Sequence, residues 1–299
     1  MRNRELNLRR VNMNYSALIQ NRKSVREFSE KYVSFETMAQ IKVYHAASVR
    51  RLLPEVNTEL RTYTSDARTA LEGAAGYEKF LIGSPQYLVL LSEKHPYAEE
   101  NAGFIMADLI LKLAEMGLDA CWLTFTDSEY IKTALELESE LDVVAIAAFG
   151  YGVRTTKRLR LNVRTMSNVD TSVQRQYFNP KLAVGDMVFM ENWGNREGVE
   201  EHIGFYDNML WEAFYAASLA PSYLNRQPYG FLIREGRIIL VQKPDSYTPA
   251  IDGKLNLGIV LLHFTAVASQ WAGKLSWQFE EESSLSLPEG YRAVASVAL

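Results

Sequence analysis

The stretch "APSYLNRQPYGF", residues 220–231, decides how this chain folds. Pro221 fixes its own φ and biases Ala220 away from helical geometry, so the helix read over 207–219 must stop there. Backbone amides around Ser222 are then left free. Asn225 carries a donor and an acceptor on one amide, which suits a planar ligand edge of alternating acceptors and N–H groups, such as a pyrimidine or flavin ring. An ordinary helix-to-strand connection fits the same residues. Pro228 sets the entry to a strand over 229–234.

Outward from this stretch, "GFLIR" and "RIILVQ" flank Glu235-Gly236 as a hairpin. A long apolar helix spans about 253–272, and strands follow at 275–279 and 292–298. The first half shows a similar order. A short helix covers 15–22, and Ser34 caps a helix over 35–52. "YLVLLS" (87–92) reads as a buried strand. The helix over 97–116 is apolar around nearly its whole circumference, as in a central position, and Gly117 ends it. Strands at 119–125 and 142–152 flank a short helix that Asp127 caps and that runs to about Leu137. Gly103 to Trp122 and Gly258 to Trp277 are both nineteen residues apart, each pair spanning a helix and the next strand. That spacing points weakly to internal duplication. Two helices too apolar for a surface suit two lobes packed against each other. Residues 160–205 read as irregular, with the lobe boundary among them.

The chain has 299 residues, 47% of them hydrophobic, which is ample for a buried core. A formal charge of −4 excludes a global electrostatic case for nucleic acid or an anionic membrane. No apolar run reaches the roughly 18 residues of a membrane span, and no signal-type apolar core stands at the N-terminus. The single cysteine, Cys121, excludes a disulfide framework and reads as a small core residue. The expectation is a soluble cytoplasmic protein.

Basic residues cluster locally. In "NRKSVREF" (21–28), Arg22, Ser24 and Arg26 would share one face of an extended segment, with Lys23 adjacent. Two guanidiniums and a hydroxyl on one face can make a phosphate site, and a solvated basic edge fits equally. "YGVRTTKRLR" (151–160) follows a buried strand. No third glycine and no helix follow, so a dinucleotide fingerprint is rejected. Arg158 and Arg160 alternate so as to reach one anion together, or lie on a solvated face. The histidines, at 45, 95, 202 and 263, lack ligand spacing, so no metal is expected. No nucleophile elbow or Cys/His pair is present. With no evident acid or base, a cofactor would carry any chemistry.

Taken together, "NRKSVREF" and "APSYLNRQPYGF" resemble the two signatures of FMN-dependent nitroreductases, the second usually seen as A-P-S-x-x-N-x-Q-P-W. "GLDACWLTF" (117–125) is similar to the segment lining the flavin's reactive edge, and "AAFGYG…KRLR" to the late strand and basic segment. The resemblance implies an α+β fold, a mixed or antiparallel sheet flanked by helices. The motif order departs from the family. About two hundred residues separate the two signatures here, "YHAASVRRLLPEVN" (44–57) stands where the second is expected, and "NWGNREGVEEHIG" (192–204) does not supply the first. In the family the flavin sits between two subunits, each giving one motif. The resemblance therefore implies two similar lobes forming an intrachain pseudo-dimer with one FMN site. The divisions are an extension at 1–12, a first lobe at 13–165, a connecting segment at 166–205 and a second lobe at 206–299.

By that resemblance Arg22, Lys23, Ser24 and Arg26 bind the FMN phosphate, ribityl chain and pyrimidine edge. Pro221, Ser222, Asn225 and Gln227 line the ring from the second lobe. Leu123 and Thr124 lie by flavin N5, and Arg158 and Arg160 neutralise the phosphate. Many relatives carry Glu-Gly where Thr124-Phe125 stands, and Tyr229 replaces a tryptophan. The implied activity is ping-pong hydride transfer from NAD(P)H, through FMN, to a nitroaromatic, quinone or other small acceptor. A flavin-storing or redox-sensing protein without nicotinamide turnover is the alternative, and a scaffold without flavin a third reading. The expected partner is a small-molecule acceptor, with no nucleic acid and no membrane, in a monomeric pseudo-dimer or a weak homodimer.

Overall fold

The computed structural model describes residues 13–47, 50–153, 158–165, 168–174, 180–206, 208–279 and 285–298. The elements in chain order are α1 (Tyr15–Asn21), α2 (Phe35–Ala47), β1 (Thr58–Thr64), α3 (Ala67–Leu71), β2 (Gln86–Ser92), α4 (Ala98–Glu115), β3 (Asp119–Leu123), α5 (Ser128–Ala134) and β4 (Asp142–Gly150). Then come β5 (Arg158–Thr165), β6 (Asn168–Gln174), α6 (Val184–Met187), β7 (Val188–Met190), α7 (Val199–Tyr206) and α8 (Asn208–Ser218). A 3-10 turn (Tyr223–Asn225), β8 (Tyr229–Arg234), β9 (Arg237–Gln242), α9 (Ala250–Ala272) and β10 (Arg292–Ala298) complete the chain.

Two four-stranded sheets form two lobes. The first is antiparallel in the order β1-β2-β4-β3. The second runs β10-β9-β8-β7, with β7 parallel to β8 and the other pairs antiparallel. Local chemistry sets the element ends. Ser34 Oγ accepts from the Thr37 amide at 3.2 Å, and Asp127 Oδ1 accepts from Glu129 and Tyr130 at 2.9 and 3.2 Å. Gly117 takes φ +77° after α4. The β8–β9 hairpin turns through Glu235 and Gly236, both at positive φ, as a two-residue turn of this twist requires.

The first sheet is covered on both faces, which is why every residue of β2 is buried. Leu88 and Leu90 pack toward α4, and Tyr87, Val89 and Leu91 toward α3 and α5. The long helices α4 and α9 cross between the lobes. Phe104, Ala107 and Leu111 of α4 enter the second lobe's core, and Leu255 of α9 enters the first. The crossing is reciprocal. A Cβ on Gly103 would overlap the carbonyl of Leu255, three residues before Gly258, and a Cβ on Gly258 would overlap the carbonyl of Glu100, three residues before Gly103. Such i-to-j and j-to-i contact is the signature of a two-fold interface.

Several boundaries differ from the sequence reading. The span 160–205 is not irregular among its described residues. It holds the β5–β6 ribbon and then α6, β7 and α7, and Val184, Met187, Val188, Val199 and Ile203 belong to the second lobe's core. Elements of three to eight residues are too short for periodicity to reveal. Strand β1 was not anticipated because its alternation is mostly polar. α2 stops at Ala47 rather than Leu52, α5 stops at Ala134, and 275–279 supplies a single bridge, Gln278 to Ser296, rather than a strand. By length and apolarity α9 does qualify as a span, contrary to expectation, but 78% of its most apolar window is buried within the protein. Residues 1–12 lie outside the described residues.

Candidate functional site

The segment after α1 is extended, as its alternation implied. Ser24 bridges Ala120 in parallel and the Val25 amide donates to the Ala120 carbonyl at 3.2 Å, which fixes "RKSVR" along the edge strand β3. α1 itself packs on the second lobe, through Tyr15 and Ile19. Arg22 therefore enters the boundary between lobes. It is half-buried, but its Nε is out of reach of water and has no partner among the described residues. One terminal nitrogen donates to Ser24 Oγ at 3.3 Å. Burial pulls the guanidinium down to about 10. Lys23 and Arg26 are exposed. The Cys121 thiol is pushed up by burial, against the opposing fields of Arg26 and Arg22.

From the second lobe, the turn after α8 is tightly wound. Leu224, Asn225 and Gln227 all have positive φ, at 47°, 57° and 48°. Left-handed backbone at a leucine is strained and persists only where surroundings over-determine it. Here they do. Ser222 Oγ accepts from the Gln227 amide at 3.0 Å, and the Tyr223 amide donates to Asn256 Oδ1 of α9 at 3.1 Å. Gln227 is buried, donating to the Ser218 carbonyl and accepting from the Leu182 amide. Its amide thus fastens the turn to 180–182 and does not face a ligand, which corrects its expected place on the ring. Asn225 donates to the Pro180 carbonyl at 2.7 Å, and its Oδ1 remains as an acceptor. Pro221 is half-buried beside it.

The Leu123 side chain lies in the first lobe's core, so only its backbone can meet a ring. Thr124, next along, is half-buried, and its hydroxyl donates to Asp252 in the first turn of α9, crossing the lobe boundary. Arg158 and Arg160 sit in β5 opposite Gln174 and Ser172. Their side chains lie outside the described residues.

Three residues missed from sequence complete the cluster. Lys181 donates to the Ala220 carbonyl at 2.8 Å, and burial first, then Arg22, pull its ammonium down to about 8. His263 is buried with Nδ1 3.1 Å from the Ala216 carbonyl, and burial followed by Arg22 lowers its pKa to about 3, so it is neutral. Asp252, Asn256 and His263 lie on one stripe of α9, spaced i, i+4 and i+11, about 16 Å end to end. Polar residues at helical spacing within an otherwise apolar helix were the available signal. One end of the stripe lies in the field of Arg22 and Lys181, and the other accepts from Thr124. Tyr77 and Tyr223, one from each lobe, stand with rings 6.1 Å apart near that second end. Clefts lined by residues such as Lys94 and Asp142, or Asp186 and Arg196, include none of the anticipated residues.

The two-fold counterpart is built differently. At the same offset as Gly103 and Gly258, α4 presents Tyr97, Asn101 and Asp108 where α9 presents Asp252, Asn256 and His263. The asparagines match in role, since Asn101 Oδ1 accepts from the Leu53 amide at 3.1 Å as Asn256 does from Tyr223. The flanking positions diverge. Tyr97 stacks on Phe279, the counterpart of Thr124, at 4.2 Å. Asp108 is buried and accepts from Tyr15 and Tyr44 at 3.1 and 2.8 Å, with burial raising its carboxyl. One location gathers Arg22, Lys181 and polar groups; the other carries a buried carboxyl, with Arg50 and Lys112 in its field, and an aromatic stack.

Residues 14–185 match a sequence-family model described as "Putative TM nitroreductase". The A-P-S stretch lies beyond that match. No curated protein matches the chain. Among solved structures, a putative nitroreductase from Thermotoga maritima is similar over 100% of this chain and 99% of its own, at 19% identity and a TM-score of 0.57. It shares the fold from end to end. An FMN-dependent nitroreductase from Clostridium difficile covers 46% of this chain and 87% of its own, at 20% identity and a TM-score of 0.40. A putative nitroreductase from Bacillus subtilis covers 51% and 95%, at 17% identity and 0.41.

Proposed function

This chain belongs to the TM nitroreductase family of flavin oxidoreductases, and from that premise we propose that it is an FMN-dependent NAD(P)H oxidoreductase with one flavin site per chain, assembled from both lobes. The observation that carries the reading is the buried Nε of Arg22, unpartnered among the described residues, with Lys181 and neutral His263 in the guanidinium's field. A half-buried guanidinium whose Nε is out of reach of water, and a half-buried ammonium, with no carboxylate paired to them among the described residues, fit an anion such as the FMN phosphate. FMN, when bound, supplies hydride transfer from NAD(P)H to a small acceptor such as a nitroaromatic or a quinone.

The chain's own residues hold and orient the group. Arg22 and Lys181 neutralise the phosphate, and Ser24 and Ser222 bring hydroxyl donors to its vicinity. Asn225 Oδ1 offers an acceptor to a ring N–H. Thr124 stands at the reactive edge. Tyr77 and Tyr223, in ring contact, flank the approach at that end. At the two-fold counterpart, the Asp108 carboxyl is already engaged by Tyr15 and Tyr44, and the Tyr97–Phe279 stack fills the ring position. The lobes already supply each other's missing half, so a second chain is not required.

Two experiments test this. The purified chain, incubated with excess FMN and desalted, should show the visible flavin spectrum at one equivalent per chain, bleached anaerobically by NADH or NADPH. Two equivalents would contradict the single site. A loaded chain that neither nicotinamide bleaches would leave a flavin-holding protein without turnover. The second concerns pH. A bound phosphate favours charged Lys181, so its pKa rises on binding. Below pH 8 the lysine is charged with and without ligand, and nothing changes. From about pH 8 upward the free protein has lost that proton and binding must take it up. Calorimetry in buffers of differing ionisation heat should find proton uptake at pH 9 that Lys181→Met abolishes.

A further inference from the structure

The sequence offers no evident acid or base, yet the fold places one carboxyl at the anticipated reactive edge. Asp252 is 9% exposed and accepts from the Thr124 hydroxyl across the lobe boundary. Burial pushes its carboxyl up to about 6, opposed by the hydrogen bond from Thr124. The groups facing it are Thr124 from the end of β3 and Tyr223 from the 3-10 turn, whose phenol is influenced in turn by Tyr77, Asp252 and Glu78. Lys254 on the same helix is paired with Glu99 of α4 at 3.2 Å. Among the described residues no cation is paired with Asp252.

A carboxyl bonded to one hydroxyl has two arrangements. When ionised, it accepts the hydroxyl proton, and the hydroxyl's lone pairs are left to accept elsewhere. When protonated, it donates to the hydroxyl oxygen, and the hydroxyl proton is free to be donated elsewhere. We propose that Asp252 and Thr124 act as such a pair and set the polarity of the hydrogen bond offered to the flavin's reactive edge, Thr124 donating into the site when Asp252 is protonated and accepting from it when Asp252 is ionised. This rests on the FMN reading above. An oxidised flavin presents a bare ring nitrogen at that edge and a reduced one presents an N–H. The protonated pair therefore favours oxidised FMN, and the ionised pair favours the reduced form. Asp252 is a positioning residue that acts through Thr124. The counterpart pair, Tyr97 and Phe279, has no exchangeable proton facing its partner ring and cannot do the same.

The test is the affinity for oxidised FMN, from quenching of its fluorescence between pH 4.5 and 8.5, for the wild-type chain and for Asp252→Asn, Thr124→Val and Thr124→Ser. The FMN phosphate titrates in the same range, so the quantity read is each variant's Kd divided by that of the wild type, in which the phosphate cancels. One neutral hydrogen bond gained or lost corresponds to about a threefold to tenfold change. The ratios for Asp252→Asn and Thr124→Val should change by that factor across pH 6, while Thr124→Ser stays near one throughout. A flavin-free readout accompanies it. Asp252's folded pKa is raised, so the stability its protonated form contributes is complete below about pH 4 and is lost as pH rises through about 6. Asp252→Asn should remove that decline from the apoprotein's pH–stability curve. Ratios that stay constant with pH, or a decline as steep in Asp252→Asn as in the wild type, overturn the pair. FMN that fails to bind at any pH overturns the flavin reading and the pair together, whereas binding with constant ratios overturns the pair alone.

Discussion

Arg22→Met is expected to weaken FMN binding by about 2–3 kcal/mol, roughly a hundredfold in Kd, while leaving the apoprotein as stable as before or more so. The two effects have opposite signs because the guanidinium is placed for a ligand rather than for the fold. Its Nε is buried without a partner among the described residues, and burial holds its pKa at about 10. In the ligand-free chain that charge is a liability, and an apolar side chain of similar length relieves it. In the loaded chain the same desolvation strengthens each bond to a phosphate oxygen. Fluorescence titration and urea denaturation of one preparation read both quantities. A variant that binds as tightly as wild type would remove Arg22 from the site. One that is strongly destabilised without ligand would make it a structural residue.

Gly258→Ala should destabilise the chain by about 3 kcal/mol, at the upper end of overpacking effects. The new Cβ would overlap the Glu100 carbonyl and stand 2.7 Å from the Phe104 amide nitrogen. Both are backbone atoms of a buried helix, so no side chain can swing aside. The helices must separate, and with them the two lobes. Gly103→Ala meets the same obstacle from the opposite side, with the Leu255 Cα 3.0 Å away. Because one separation relieves both clashes, the double variant should be less destabilised than the sum of the singles. Gly185→Ala is the control. Nothing lies within 4 Å of its added Cβ, and it should be neutral or slightly stabilising. Equal denaturation midpoints for Gly258→Ala and Gly185→Ala would show that the crossing is not close-packed.

How much of this was legible in the sequence depended on the length and purity of each pattern. α4 and α9 were readable because long helices apolar all round belong in the middle of a protein, and the glycine-to-tryptophan spacing pointed to their relationship. β10, β8 and β9 were readable from β-branched runs and a two-residue turn. β7 and α6 were not, because three or four residues carry no period, and their pairing with β8 is set by contacts far away in sequence. In the site, Arg22 and Ser24 were found through their motif. Gln227 was misplaced because an amide in a ligand motif looks the same whether it faces a ligand or, as here, ties a turn to Leu182 and Ser218. Asp252, His263 and Lys181 were missed because chemistry was sought in clusters along the chain. Lys181 comes near His263 only when the segment at 180–182 is brought to α9, and Asp252 meets Thr124 only when α9 reaches the first lobe.

The reciprocal contact of Gly103 and Gly258 joins two halves of one molecule. In an assembly of separate subunits, the equivalent contact forms by mass action and is lost on dilution. Here the partner is always tethered, so the contact forms at a fixed effective concentration set by the connecting chain. The boundary that holds Arg22, Lys181, Thr124 and Asp252 together should therefore be as complete at nanomolar protein as at millimolar. The midpoint of unfolding should not move with protein concentration. Joining the halves also lets each change alone. A substitution in one chain of a symmetric pair alters both copies of a site, whereas here the two-fold-related positions carry different groups, a buried carboxyl at Asp108 and a neutral imidazole at His263.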